Sequence, residues 1–138
     1  MPVEAARPFF DTNVLLYLIS DDIAKSRKLD VHLIGGGLIS VQVLNEFLNV
    51  SRKKYGLEAS QIRPFLAVLR DTLSVVPVTA RTHDIGLDII ERYKLSTYDA
   101  MIVAAALDNE CDVVFSEDMQ DGMLFFGQVR IIDPFAHA

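Results

Sequence analysis

The chain has one cysteine, Cys111, which rules out an intrachain disulfide framework or a cysteine zinc cluster and points to a reducing compartment. Its three histidines, His32, His83 and His137, are scattered singly. That scatter argues against a zinc site, a Ser-His-Asp triad or a ribonuclease working through paired histidines, and each reads as a surface residue. No apolar run approaches the roughly 18 residues of a membrane span; those over 14–19 and 101–107 are typical. The first residues carry Glu4 and no hydrophobic signal segment, so no membrane association is expected and the cytoplasm is the default. Gly35-Gly36-Gly37 is not followed by Gly-Lys-Ser/Thr and is a turn, not a phosphate loop. Repeats, low-complexity tracts and Pro/Ser-rich linkers are missing too. Residues 1–138 therefore read as one domain, long enough to bury about two thirds of its unfolded surface.

Positive charge is also scarce. Thirteen basic side chains face 19 acidic ones, a net charge of −6, which is a poor basis for holding nucleic acid by phosphate neutralisation alone. What the chain does have is apolar surface: 51% hydrophobic residues, 23% charged, and a mean hydropathy of +0.27. This is a folded chain with some apolar surplus for an interface. Met123-Leu124-Phe125-Phe126 fits either the core or a partner surface.

Hydrophobic patterning alternates short apolar strands with amphipathic helices. Strands are expected over 8–10, 38–40, 73–78, 112–116 and 129–132, and helices from 14 and over 23–34, 42–55, 60–73, 82–93 and 98–107. Ile85, Leu87, Ile89 and Ile90 are the expected inward face of the helix over 82–93, while 98–107 is apolar nearly all round and should lie deep. Uniformly apolar strands separated by helices predict a parallel sheet of about five strands, covered on both faces: an α/β/α sandwich. Ligands of such sheets bind outside the carboxyl ends of the strands. Asp11 and Ser116-Glu117-Asp118 fall there.

Each acidic candidate has a plain structural reading beside the chemical one. Asp11-Thr12-Asn13 after a strand is a good helix N-cap or Asx-turn. Ser96-Thr97-Tyr98-Asp99 fits a capping box, and carboxylates are favoured in a helix's first turn. Glu46 borders the apolar stripe of its helix, beside Val43 and Val50, where a glutamate is usually just solvated. Ser116-Glu117-Asp118 and Asp121-Gly122 resemble turn chemistry. Taken together, oxygen-only ligands brought to one sheet edge from two strand ends and two helices would form a hard-cation site, with Mg²⁺ or Mn²⁺ the expected ion.

The motifs Phe10-Asp11-Thr12-Asn13-Val14-Leu15-Leu16-Tyr17, Val43-Leu44-Asn45-Glu46-Phe47, Ser96-Thr97-Tyr98-Asp99-Ala100-Met101-Ile102-Val103-Ala104-Ala105-Ala106 and Phe115-Ser116-Glu117-Asp118-Met119-Gln120, in this order and spacing, resemble the PIN-domain nucleases. Within these they are similar to the VapC toxins of toxin–antitoxin pairs. The resemblance places the family's acidic quartet on Asp11, Glu46, Asp99 and Asp118, with Ser116 at its Ser/Thr position and Thr12 and Asn13 at its small polar positions. Asp121 is an alternative to Asp118 or its assistant. The resemblance also implies a PIN-like α/β/α fold, metal-dependent RNA cleavage, a homodimer, and a small VapB-like antitoxin that inserts a segment into the site.

With four acids facing metal, 13 basic residues stand against 15 acidic ones, and the charge objection to RNA weakens. Arg52, Lys53 and Lys54 end the Glu46 helix, and Arg92 and Lys94 precede Asp99; they are candidates for RNA phosphate contact or simply cations at helix C-termini. Lys53, seven positions after Glu46, should lie on nearly the same helix face. The expected reaction is metal-assisted phosphodiester hydrolysis leaving 5′-phosphate and 3′-hydroxyl ends, with one or two ions. The alternatives are an inactive PIN-like module that binds RNA or protein, and an aspartyl-phosphate phosphatase or receiver domain. The phosphatase needs Asp-x-Asp where this chain has Asp11-Thr12-Asn13, and the receiver needs an Asp ending strand three.

Overall fold

The computed structural model describes residues 7–136; Glu4 and His137 lie outside the described residues. Strand β1 (Pro8–Phe10) leads into the single turn α1 (Thr12–Leu15) and a 3-10 turn over Leu16–Leu18, so the helix expected from 14 is short and interrupted. Helix α2 (Ile23–Ile34) starts where the Asp22 carboxylate accepts the Lys25 N–H at 3.1 Å. It is followed by β2 (Leu38–Ser40), α3 (Val41–Tyr55) and α4 (Ala59–Thr72). Gly56, at φ +65°, closes α3 in the left-handed conformation that glycine adopts without strain. The chain continues through β3 (Ser74–Val76), α5 (Ala80–Tyr93), α6 (Thr97–Asp108), β4 (Val113–Phe115), β5 (Leu124–Phe125) and β6 (Val129–Ile132).

The sheet order is β3-β2-β1-β4-β6-β5, and every pairing is parallel except β5 with β6. The sheet thus has six strands where about five were expected. The extra one is a two-residue antiparallel edge formed from the Met123–Phe126 stretch. Phe126 and Gly127 at positive φ turn the chain back, burying Phe125 and leaving Leu124 exposed. Strand β3 stops at Val76 because Pro77 has no N–H to pair, and Val78 lies exposed beyond it.

Helices α1 to α4 connect the strands as the chain steps outward from β1 to β3, and α5 and α6 bring it back to β4; the right-handed crossover rule assigns these two groups to opposite faces. Helix α6 is the hub of that second layer: Ala100 to Ala106 are all buried, and it packs on β2, β4 and β6. Its neighbour α5 approaches it through Thr82, Gly86 and Ile89. Leu87, expected inward, is 45% exposed because it points away from that small-residue face. The order in which strands are added reverses between β1 and β4, which opens a crevice at their carboxyl ends.

Candidate active site

The crevice is closed at its base by backbone hydrogen bonds, Asp11 N–H to the Phe115 carbonyl at 2.9 Å and Ser116 N–H to the Ile132 carbonyl at 3.1 Å. Asp11 is therefore placed at the end of β1 and Ser116 at the end of β4, both buried. One Asp11 carboxylate oxygen accepts the Thr12 N–H at 2.7 Å. The other accepts the Ser116 hydroxyl at 2.9 Å and the Asn13 amide at 3.0 Å. The cap expected of Asp11 exists, and it coexists with an oxygen facing the crevice's polar groups.

Glu46, half-buried on α3, is held from both sides. The Thr12 hydroxyl donates to one of its oxygens at 2.9 Å and the Gln42 amide to the other at 2.6 Å. Sequence reading missed Gln42, although its position four residues before Glu46 on one helix was the available signal. Asp99 lies in the first turn of α6, where its N–H donates to Ser96 Oγ at 3.4 Å. The caps of α4 and α5 are reciprocal, but this one runs one way, so the Asp99 carboxylate is not committed to the cap. Burial pushes the Asp11 carboxyl up to about 7. The nearby charges of Asp99 and Glu46 add to that push, and the bonds from Ser116 and Thr12 oppose it.

Ser116 Oγ is the junction to the remaining acid. It receives the N–H groups of Asp118 and Met119, each at 3.2 Å, and Asn13 binds the same loop by accepting the Glu117 N–H at 3.0 Å. Asp118 itself is exposed and lines a cavity of about 580 Å³ with Asn13, Tyr17, Glu117 and Lys54. Asp121 accepts the Asp133 N–H at 2.8 Å, which ties it to the chain after β6.

The basic candidates are distributed among different surroundings. Lys54 shares the Asp118 cavity, whereas Arg52 and Lys53 line a separate one of about 490 Å³ with Asn49 and Leu57. Arg92 stacks on Tyr93 and Phe126, with its guanidinium 5.2 Å from the Phe126 ring, and Lys94 ends α5 at φ +58°. Of the described histidines, His83 is exposed, and His32 is half-buried with its ring 4.6 Å from that of Phe115. On the other side of Glu46 a groove of about 820 Å³ is lined by Gln42, Asn45, Asn49, Pro77, Val78 and Tyr98.

Among the described residues no three His, Cys, Asp or Glu side chains converge as a ready metal cluster. The donor chemistry nonetheless fits a hard divalent cation: the side-chain ligands available are oxygens, and the deepest carboxylate is pressed by two others. A parallel α/β domain with a buried carboxylate at its topological switch point is of the class whose ligands bind at the carboxyl edge of the sheet. The family model of the PIN domain matches residues 9–120, and the chain belongs to that family.

Solved structures share the fold. One is described as a toxin–antitoxin complex from Klebsiella pneumoniae (22% identity, TM-score 0.70, covering 92% of this chain and 97% of that one). A second is FitAcB from Neisseria gonorrhoeae (20% identity, TM-score 0.71, covering 94% and 99%). A third is Mycobacterium tuberculosis VapC20, described as a toxin that cleaves the sarcin–ricin loop (17% identity, TM-score 0.63, covering 80% and 89%). Comparison with curated protein sequences gives no match. No helix among the described residues is long and apolar enough to cross a membrane.

Proposed function

We propose that the chain is a Mg²⁺- or Mn²⁺-dependent endoribonuclease, the toxin of a cytoplasmic toxin–antitoxin pair, acting as a homodimer and restrained by a VapB-like antitoxin. The observation that carries this reading is the Asp11 corner: a buried carboxylate, hydrogen-bonded from three sides, with Glu46 and Asp99 near enough to raise its pKa. So costly a placement, chiefly the burial of the carboxylate and further the like charges near it, is what a bound cation would offset. The toxin role is supported by the fold shared with proteins described as toxins.

In this reading Asp11, Asp99 and Asp118 hold the ion, with Glu46 binding directly or through water. A bound ion supplies water acidification and charge neutralisation at the phosphoryl oxygens. Asn13, Thr12 and Ser116 fix the carboxylate rotamers, so little reorganisation is needed as charge develops. Asp118 takes precedence over Asp121 because its N–H sits on the same Ser116 hydroxyl that binds Asp11. Among the basic candidates Lys54 has the best claim to phosphate, since it shares a cavity with Asp118.

The test is cleavage of end-labelled small RNA by the purified protein in Mg²⁺, Mn²⁺ or EDTA, beside Asp11→Asn and Asp99→Asn. Metal-dependent cuts with 5′-phosphate ends, lowered by about a thousandfold or more in both variants, are expected. Cyclic phosphate ends would mean attack by the RNA's own 2′-hydroxyl and would overturn the mechanism.

A further inference from the structure

Glu117 stands between two site residues, Ser116 and Asp118, and its carboxylate is taken up by contacts with Tyr17 and Lys25. Lys25 Nζ, from α2, donates to one Glu117 oxygen at 2.5 Å, and the Tyr17 hydroxyl, from the 3-10 turn, donates to the other at 2.5 Å. Lys25 also donates to the Tyr17 oxygen at 3.2 Å. Its ammonium lies 5.0 Å from the centre of the Tyr17 ring and 5.5 Å from that of Phe135, and these two rings meet edge to face at 4.9 Å. Three chain segments more than 90 residues apart in part of their pairing are thus joined at one carboxylate.

We infer that Lys25, Tyr17 and Glu117 form a clamp that positions the Asp118 carboxylate. Residue 117 is held at both ends: its side chain by the clamp, and its N–H by Asn13, whose amide also binds Asp11. Asp118 follows with its own N–H fixed on Ser116 Oγ, so only its carboxylate is left to reach for a ligand. Fixing the peptide before an ion ligand sets where that ligand can go, which is how neighbours that never touch a metal tune its affinity. The clamp is half-sheltered, with side-chain exposures of 36% for Lys25 and 20% for Glu117. The other ion pair among the described residues, Arg81 with Asp108, is also short at 2.7 Å but joins α5 to α6 and has no site residue beside it. It is the natural control.

This inference rests on Asp118 being an ion ligand, so it is read through ion binding and through local backbone opening, neither of which needs turnover. The purified full chain and its Lys25→Met, Lys25→Arg, Glu117→Gln, Lys25→Met/Glu117→Gln and Arg81→Met variants are titrated with Mn²⁺, and amide hydrogen exchange is followed residue by residue. Each of Lys25→Met and Glu117→Gln is expected to weaken Mn²⁺ binding about tenfold, the double variant no further, with Lys25→Arg intermediate. Exchange is expected to quicken at the Glu117, Asp118 and Met119 amides and to stay unchanged in β1, β4 and β6. Arg81→Met should alter neither readout.

Mn²⁺ affinity within twofold of the parent in both single variants overturns the clamp. So does exchange that quickens throughout the molecule, which would make the contacts a matter of general stability. If the parent chain takes up no Mn²⁺, the ion-site reading itself fails, and the Asp118-positioning role fails with it, whereas confined loop exchange would still show that these residues order the loop.

Discussion

Where α5 crosses α6, Ile89, Ala100, Val103 and Ala104 are all fully buried, and Gly86 lets Met101 so close that a methyl at that position would meet its sulfur at 2.6 Å. Where β1 meets α1, a comparable depth of burial is spent on Asp11, Thr12 and Ser116. The first region is what stability asks for: apolar, close-packed, with small residues setting the approach. The second is costly, because a buried carboxylate is set beside two others. Placing the two side by side separates residues that hold the fold from residues the fold holds in place.

Titration offers the sharpest way to break that contrast. Because the Asp11 carboxyl is raised from 3.8 to about 7, between these limits the folded protein keeps a proton that the unfolded chain has lost. In EDTA, stability should therefore fall as pH rises from about 4 to 7 and level off above, by at most roughly 4 kcal/mol. Asp11→Asn should lose this component of the slope and be the more stable chain at pH 8, while its activity is lost. Urea melts of the two proteins at several pH values check this, and parallel curves would remove the cost assigned to the corner.

Ile89→Ala should behave the other way round, losing about 3 kcal/mol in the same melts while cleavage per folded molecule and Mn²⁺ affinity stay as in the parent. Ser116→Ala should fall between the two classes. It removes one donor to Asp11 and the acceptor of two loop amides, which should cost about 1–2 kcal/mol and weaken Mn²⁺ binding by calorimetry about tenfold. The smallest effect belongs to Arg81→Met. Its side chain is 79% exposed, and breaking its pair with Asp108 should change stability by less than about 1 kcal/mol. A larger loss there would mean that the α5–α6 contact depends on charge more than its apolar packing suggests.

Much of this was legible before the structure, for local reasons. The bounds of α2 follow from Asp22 at one end and Gly35 at the other, and Asp11 and Asp99 stand at a strand end and a helix start, whereas Glu46 is marked only by the family resemblance. What escaped depends on distant partners. The short β5 exists because β6 is there to pair with, and Leu87 faces solvent because α6 selects Thr82, Gly86 and Ile89 as the contact face. The bond between Lys25 and Glu117 spans 92 positions and leaves no local pattern to read. Lys53 was singled out by helix periodicity, but the tertiary fold brings Lys54 into the Asp118 cavity.

The sheet order also sets a timetable. β1 is made first yet lies between β2 and β4, and the hydrogen bond from the Ser116 hydroxyl to Asp11 joins positions 105 residues apart. During synthesis Asp11 must wait, unpaired on that side, until nearly the whole of the family's matched segment has emerged. A chain interrupted between residues 12 and 112 has the strand that carries its deepest acid but lacks the one that completes the crevice. Long-range pairings of this kind close late and slowly. The acidic corner is thus assembled only after β4 has been made, so its completion reports that both halves of the sheet are in place.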